Sequence, residues 1–509
     1  MMSSTSFSSV TISLDLDDQV PVYLQIARQI RALIEQERLR PGDRLPSSRQ
    51  LAQDLGVSRT TSSNSYDLLT SEGYLLGIPK KGVFIAHRLP SLMLEQLPST
   101  TTRTSPDNSY DNTDDNWLRF DSGADVSLFP HRIWRRCLQQ GWRDPPRELL
   151  EGTMKSGLPA LRQAVADYLH AMRGLSVKPD QVIITAGNRD AISLLLSALK
   201  RISTKVSSSV WLENPCYPAL AESVSSMGVQ LDALAVDAEG AVCPTGVSGQ
   251  LAAILTPSRQ YPLGVAMSAR RRQEWLDLCS QSNQTGQPFW LIEDDYDSEF
   301  IYQGRAQAPL MKADTQQHTL LVGSFSKILF RSLRIGYIVA PDQLAPHLLS
   351  SQQALGSMAS LPLQPALAAF LTHGYFATHL RRMRRVYQQR RDHLLHLLQS
   401  ELADQFQITS THTGMHLVAL LKPESGLTDE QLARAASELG LTLNRLSSHY
   451  FTGQPQQGLL LGFSAVSEPY LSEGVERLHQ VLKEVEGIAA GDGCSESFSG
   501  SSRSKIGRS

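Results

Sequence analysis

The stretch GSFSKILFRSLRIG, residues 323–336, decides how most of this chain is read. It places Lys327 just after Ser324 and Ser326, and Arg334 seven residues further on, inside an otherwise apolar segment. A plain hydrophobic core has no use for such residues, so the segment points to chemistry. Three other stretches supply polar residues at the ends of apolar runs. LIEDDYDSEF, residues 291–300, ends a strand-like run with Asp294 and Tyr296. WLENPCYPAL, residues 211–220, offers Tyr217 just after another run. TAGNRDAISLLL, residues 185–196, reads as a glycine-containing turn from strand to helix, whose free backbone amides suit an anion.

Two chemistries use a lysine beside serines. Ser324-Phe325-Ser326-Lys327 formally fits S-x-x-K, which in serine acyl-enzymes comes with S-D-N and K-T-G. Neither tripeptide occurs in the chain. The second is a lysine that forms a Schiff base with pyridoxal phosphate (PLP). Such a site needs a carboxylate for the pyridine nitrogen, an aromatic platform, and hydroxyl and cationic donors for the phosphate. Asp294, Tyr217, Ser324, Ser326 and Arg334 have those characters and come in a suitable order. The bland alternative for Lys327 is a lysine whose stem lies along apolar surface with its ammonium in water.

The whole chain bounds the answer from outside. Its 509 residues exceed one cooperative core, so two or more domains are expected. With 41% hydrophobic and 19% charged residues and a net charge of −2, it reads as a core-forming, water-soluble protein. No apolar run approaches the ~18 residues of a membrane helix. The start lacks the basic and apolar regions of a signal peptide. Five scattered cysteines, without a CxxC or Cys/His cluster, suggest neither a disulfide framework nor a zinc site. The expected compartment is the reducing cytoplasm.

Charge is uneven along the chain. Residues 21–88 carry ten Lys/Arg against six Asp/Glu, a net +4. There Leu24, Ile26, Ile30, Leu33 and Ile34 share a helical face, and Pro41-Gly42 breaks the chain. SSRQLAQDLGVSRTTSSNSYDLLTSEG, residues 47–73, reads as helix, turn, helix, with Ser58 at an N-cap position. GYLLGIPKKGVFIA gives two short strands around a basic turn. This winged helix-turn-helix resembles the GntR family in PGDRLPSSRQLAQDLGVSRTT and LTSEGYL. The resemblance implies that Arg49, Ser58, Arg59, Thr60 and Thr61 face DNA and that Lys80, Lys81 and Gly82 form the wing tip. Arg59 suits base reading, whereas hydroxyls and lysines suit phosphates. A solvated protein-interaction module is the alternative. Ser62 and Ser63 stand where that family usually has apolar residues, which predicts a loosely packed helix.

Residues 99–116 are rich in Ser, Thr, Asn and Asp and cannot offset their ordering entropy by burial. The expected organisation is a DNA-binding head over 19–88, a flexible linker over 89–116, an α/β body over 117–488, and a disordered tail over 489–509.

The body resembles a fold-type I aminotransferase through SGLPALRQAVADYL, VIITAG, TPSRQYPLGVAMS, EDDYDSEF and GSFSKILFRSLRIGY. A GntR-like head on such a body resembles the MocR subfamily of bacterial transcription regulators. The resemblance implies that Lys327 holds PLP, Asp294 keeps the ring nitrogen protonated, Tyr296 donates to the phenolic oxygen and Tyr217 stacks on the ring. It implies that Ser324, Ser326, Arg334 and the Asn188 turn bind the phosphate, and that the chain forms a homodimer, head to tail.

Three positions depart from that pattern. Gly152 takes the place of a tyrosine that reaches a partner's cofactor, and the phosphate turn reads GNRDA instead of carrying Ser and Gln. Leu460, in GLLLGFSAV, replaces the arginine that clamps a substrate carboxylate. Leucine cannot make a bidentate fork, so transaminase activity is expected to be weak or absent. The expectation is a regulator that binds operator DNA and senses PLP or a PLP-reactive amine or amino acid. The alternatives are a working aminotransferase with a vestigial head, and a regulator that has lost PLP. HLRRMRRVYQQRR, residues 379–391, is a basic helix, read as a solvated face or as an added DNA surface. His412 and His416 sit at metal-pair spacing without an evident third ligand, and no metal is expected.

Overall fold

The computed structural model describes residues 3–7, 10–14, 21–36, 38–71, 74–78, 82–86, 117–203, 209–304, 306–357, 359–409 and 412–492. Lys80 and Lys81, the proposed linker and residues 493–509 lie outside them. The chain divides into two units, within residues 1–109 and 110–509.

In the head, β1 (Ser3–Phe7) and β2 (Val10–Leu14) form an antiparallel pair ahead of helix α1 (Val22–Glu35). β3 (Arg44–Leu45) precedes α2 (Ser48–Leu55) and α3 (Arg59–Ser71). β4 (Leu75–Ile78) and β5 (Gly82–Ile85) complete the wing in the order β3-β5-β4. The start and stop signals are local. Ser47 Oγ accepts the Gln50 amide at 3.2 Å, and Gly56 ends α2 in the left-handed region at φ 66°. Ile26, Ile30, Ile34, Leu51, Leu55, Leu69, Leu75 and Ile85 form one core. Ala27 belongs to the buried α1 face, whereas Leu24 is half-buried.

The expected looseness of α3 is corrected. Ser62 is fully buried, and its hydroxyl lies 2.6 Å from Ser48 O and 3.0 Å from Arg59 O. A polar side chain that small fits between two close helices, and its bond offsets the cost of burying it.

The body opens with the short β6 (Leu118–Arg119). Its main sheet uses β7 (Val182–Thr185), β8 (Ser209–Asn214), β9 (Gln230–Asp237), β10 (Gly240–Ala241), β11 (Gln250–Leu255), β12 (Trp290–Asp295), β13 (Thr319–Ser324) and β14 (Gly336–Val339). They lie in the order β10-β9-β8-β11-β12-β13-β14-β7. The five strands β9-β8-β11-β12-β13 are mutually parallel, β10 is antiparallel to β9, and β14 is antiparallel to both β13 and β7. Successive residues serve opposite layers: Val182 and Ile184 enter one core while Ile183 enters another, and Leu321 and Leu320 divide likewise. This two-sided burial explains why these strands are nearly continuous apolar runs.

A second sheet, β15 (Phe406–Thr409), β16 (His416–Leu421), β18 (Asn444–Arg445) and β19 (Gly458–Gly462), is antiparallel, while β17 (Leu441–Thr442) pairs with β6. The final helix runs from Glu468 to Asp492, so residues 489–492, expected to be disordered, are helical. Among the described residues no helix is long and apolar enough to cross a membrane.

Candidate cofactor site and DNA-binding face

Register brings the body's polar residues together. Asp294 on β12 pairs with Val322 on β13, and Ser324 at the end of β13 pairs with Gly336 on β14. Gly336 in turn pairs with Thr185 on β7, which leads into the Gly187 turn. Asp294, the Ser324–Lys327 loop and the helix Asn188–Ile202 therefore meet at one edge of the sheet, where strands end and ligands of open α/β sheets bind. Gly336 permits this closeness. A Cβ there would stand 2.8 Å from Gly323 O and 3.1 Å from the Gly187 Cα.

Asn188 has a role that its sequence position does not reveal. Its Nδ2 donates to Asp294 Oδ1 at 2.5 Å, so the side chain serves the carboxylate and leaves the turn's backbone amides for an anion. Among the described residues its own buried Oδ1 finds no hydrogen-bond partner, and neither does the Ser326 hydroxyl. Asp294 as a residue is only half-buried, yet its carboxyl is desolvated. That burial, reinforced by the charge of Asp295, raises its pKa to about 7. Lys327 is half-buried, and burial pushes its ammonium below the ordinary lysine value, with Asp297 opposing.

Ser324 Oγ accepts the Ser326 amide at 3.2 Å. Arg334 is exposed and holds φ 49°, a left-handed conformation that costs a non-glycine residue energy and clusters at functional sites. Tyr217 caps the helix Pro218–Ser226 and is 49% exposed, its ring edge-on to Tyr261 at 5.9 Å. Tyr261 is also edge-on to Tyr296 at 5.5 Å. An underused buried carboxyl, orphaned donors and acceptors, a helix N-terminus and a desolvated lysine fit a flat, phosphorylated, basic aldehyde. When bound, PLP supplies an electrophilic carbonyl and an electron-withdrawing ring.

Leu460 lies buried on β19 among Val418 and Leu446, with Tyr261 packed against them. That wall is apolar where a carboxylate clamp was sought. The chain instead buries Arg259, which sequence reading left unassigned within TPSRQYPLG. Arg259 pairs with Asp297 at 3.0 Å and donates to Tyr296 Oη at 3.0 Å. An arginine in the loop just beyond the buried β11 was the available signal.

His416 is buried beside Arg259 whereas His412 is exposed, and among the described residues no group of three metal-ligating side chains forms. The basic helix, part of Tyr375–Glu401, divides its arginines. Arg381, Arg382 and Arg385 are exposed. Arg384 donates to Glu299 O, Arg390 pairs with Asp125 at 2.8 Å, and Arg391 lies over the Tyr302 ring. Half of that helix's charge is therefore internal framework.

In the head, Arg49, Arg59 and Thr60 are exposed around the start of α3. Ser58 and Thr61 are engaged locally: Ser58 Oγ caps the Thr61 amide at 3.0 Å and meets Thr61 Oγ1 at 2.8 Å. Gly82 begins β5 at φ 114°, with the Arg44 guanidinium beside it. Arg44, exposed on β3, is a wing cation that the sequence reading missed.

Comparison with known proteins matches this division. Residues 22–85 match the bacterial regulatory proteins of the gntR family, and residues 143–478 match aminotransferase class I and II. The probable rhizopine catabolism regulatory protein MocR of Rhizobium meliloti is 35% identical over 489 residues, covering 94% of this chain and 97% of its own. The chain belongs to the MocR-type transcription regulators. The pyridoxine biosynthesis regulator PdxR of Corynebacterium glutamicum is 33% identical, covering 91% of this chain and 96% of its own. An archaeal alanine:glyoxylate aminotransferase shares the body's fold at TM-score 0.64 and 23% identity, over 72% of this chain and 91% of that one. LysN of Thermus thermophilus does so at 0.64 and 24%, over 74% and 94%. As a MocR-type protein the chain is a DNA-binding regulator with a class I/II aminotransferase domain, and its cofactor is PLP.

Proposed function

We propose that this regulator holds PLP on Lys327 and that occupancy of the site is the signal its head reports at an operator. In this reading Asp294 pairs with the ring nitrogen, Tyr296 donates to the phenolic oxygen, and Tyr217 covers the ring. Ser324, Ser326, Arg334 and the amides following Gly187 take the phosphate. The observation that carries it is Asp294, a desolvated carboxyl whose only hydrogen-bond donor among the described residues is one amide, beside the strand that leads to Lys327. A ring cation is what such a group lacks.

The apolar wall at Leu460 and the hydrogen bonds that already occupy both terminal nitrogens of Arg259 favour PLP itself over an α-amino acid as the effector. The likeness to a pyridoxine biosynthesis regulator supports the same choice. A signal of this kind requires that the two occupancy states differ in DNA affinity. Arg49, Arg59, Thr60, Arg44 and the wing residues Lys80, Lys81 and Gly82 would contact DNA, in the cytoplasm. The exposed Ile133, Trp142 and Leu150 support a homodimer through the body. Operator binding by fluorescence anisotropy across a PLP titration tests the reading. Affinity should change as the site saturates and should stop changing in Lys327→Ala. Constant affinity in the wild type would refute it.

A further inference from the structure

We propose that Arg259 is a positioning residue for the cofactor: it fixes the Tyr296 hydroxyl so that the phenol's one proton points at the phenolic oxygen of PLP. The inference rests on PLP being held in this cleft and concerns a contact that this chain's own residues build.

A guanidinium can only donate. Because Arg259 Nη1 occupies a lone pair of Tyr296 Oη at 3.0 Å, the phenol cannot turn its own proton toward that side. Among the described residues no acceptor takes that proton. The phenol is left as a donor awaiting a ligand oxygen.

The guanidinium is itself fixed on several sides. Asp297 Oδ2 accepts from Nη1 at 3.0 Å, and the backbone oxygen of His416 accepts from Nη2 at 3.0 Å. His416 Nε2 donates to Pro262 O at 2.8 Å, which leaves the Nδ1 lone pair facing Nη1 at 3.4 Å. Burial and the neighbouring guanidinium hold this imidazole well below the ordinary histidine pKa, so it stays neutral. The flat face of Arg259 lies against Gly414, where an added Cβ would stand 2.2 Å from Cζ. Gly414 is held by its amide to Phe300 O at 2.8 Å and by the Tyr302 hydroxyl on its carbonyl at 2.6 Å. Such a fixed fork orients a phenol in a way that a lysine could not.

The consequence is electrostatic. A firm donor on the phenolic oxygen draws charge from it and weakens its hold on the neighbouring imine proton. Arg259 thus lowers the pH at which the loaded protein changes colour. Around this point stand Asp297 and Tyr296 after β12, Arg259 and Tyr261 after β11, His416 on β16, Lys327 after β13, and Tyr302. Asp294 and Asp295 on β12 act on this set as well, as do Arg331 and Asp121 on Lys327 and His449 on His416.

The test is a pH titration of the visible absorbance of the full-length, PLP-loaded protein. Arg259→Gln alone leaves Asp297 buried and uncompensated, so the informative variant is Arg259→Gln with Asp297→Asn, which preserves net charge. Its midpoint should rise by about one pH unit, the scale of a charged neighbour's influence. Added to Tyr296→Phe, the same pair of changes should move the midpoint no further, because Arg259 acts through that hydroxyl. An unmoved midpoint in the double variant, or a full additional shift on top of Tyr296→Phe, overturns the inference. A wild-type protein that takes up no PLP overturns the cofactor reading and this inference together.

Discussion

Replacing Asp294 by asparagine should stabilise the cofactor-free body, and by more as the pH rises. The folded pKa of Asp294 is raised by burial to about 7, against about 3.9 for a solvated aspartate. Between those values the native state holds a proton that the unfolded chain has lost. Stability contributed by this group therefore falls as pH climbs from 4 through 7 and then levels. The full displacement corresponds to ~4 kcal/mol, and solvent screening of a half-open side chain cuts that to ~2 kcal/mol. The amide keeps the shape and carries no charge.

Urea unfolding followed by tryptophan fluorescence measures this selectively, since all six tryptophans, at 117, 134, 142, 211, 275 and 290, lie in the body. Variant and wild type should coincide near pH 4 and differ by ~2 kcal/mol above pH 8, with the variant the more stable. Loading with PLP should erase the difference or reverse it, because the ring cation compensates only the carboxylate. The other raised carboxyls, Glu213, Glu293, Asp297 and Glu299, are common to both proteins and cancel. Parallel pH profiles would show that Asp294 is not a desolvated acid and would remove the main support for the site.

Other consequences can be measured independently. Gly336→Ala drives a methyl against Gly323 O and the Gly187 turn, an overpacking of about 1–3 kcal/mol, and should weaken PLP binding in an absorbance titration by about 5- to 150-fold. Ser62→Ala removes the bond from α3 to Ser48 O and should lower hydrogen-exchange protection of α3 amides by about 5- to 30-fold. Arg59→Ala should cost about 1–3 kcal/mol of discrimination at one operator base pair. Arg44→Ala should instead weaken all sequences alike and reduce the salt slope of binding by about one.

Much of the architecture was legible because it is written in local signals. Ser58 before α3, the glycine after α2, and continuous apolar runs ending in Asp294 or Ser324 each follow from backbone hydrogen bonding or two-sided burial. Lys327, Asp294 and the Gly187 turn could be nominated because their residue types are costly inside a core. What escaped depends on register between distant strands. Nothing in GNRDA says that Asn188 turns its amide to Asp294. Nor does TPSRQYPLG say that Arg259 meets Tyr296, Asp297 and a carbonyl on β16. The basic helix misled for a related reason. Charge spacing alone cannot tell an arginine that faces water from Arg390, which reaches Asp125 across 265 positions of sequence.

The separate core of the head bears on how the polypeptide emerges from the ribosome. Every strand and helix that builds that core lies before residue 90, whereas the candidate cofactor site draws on positions from 188 to 416. Synthesis thus delivers a finished operator-binding element well before any sensor exists to govern it. A chain cut short by a nonsense codon in the body would leave an ungoverned competitor for the promoter, so such alleles should act dominantly in a cell that also carries the intact gene.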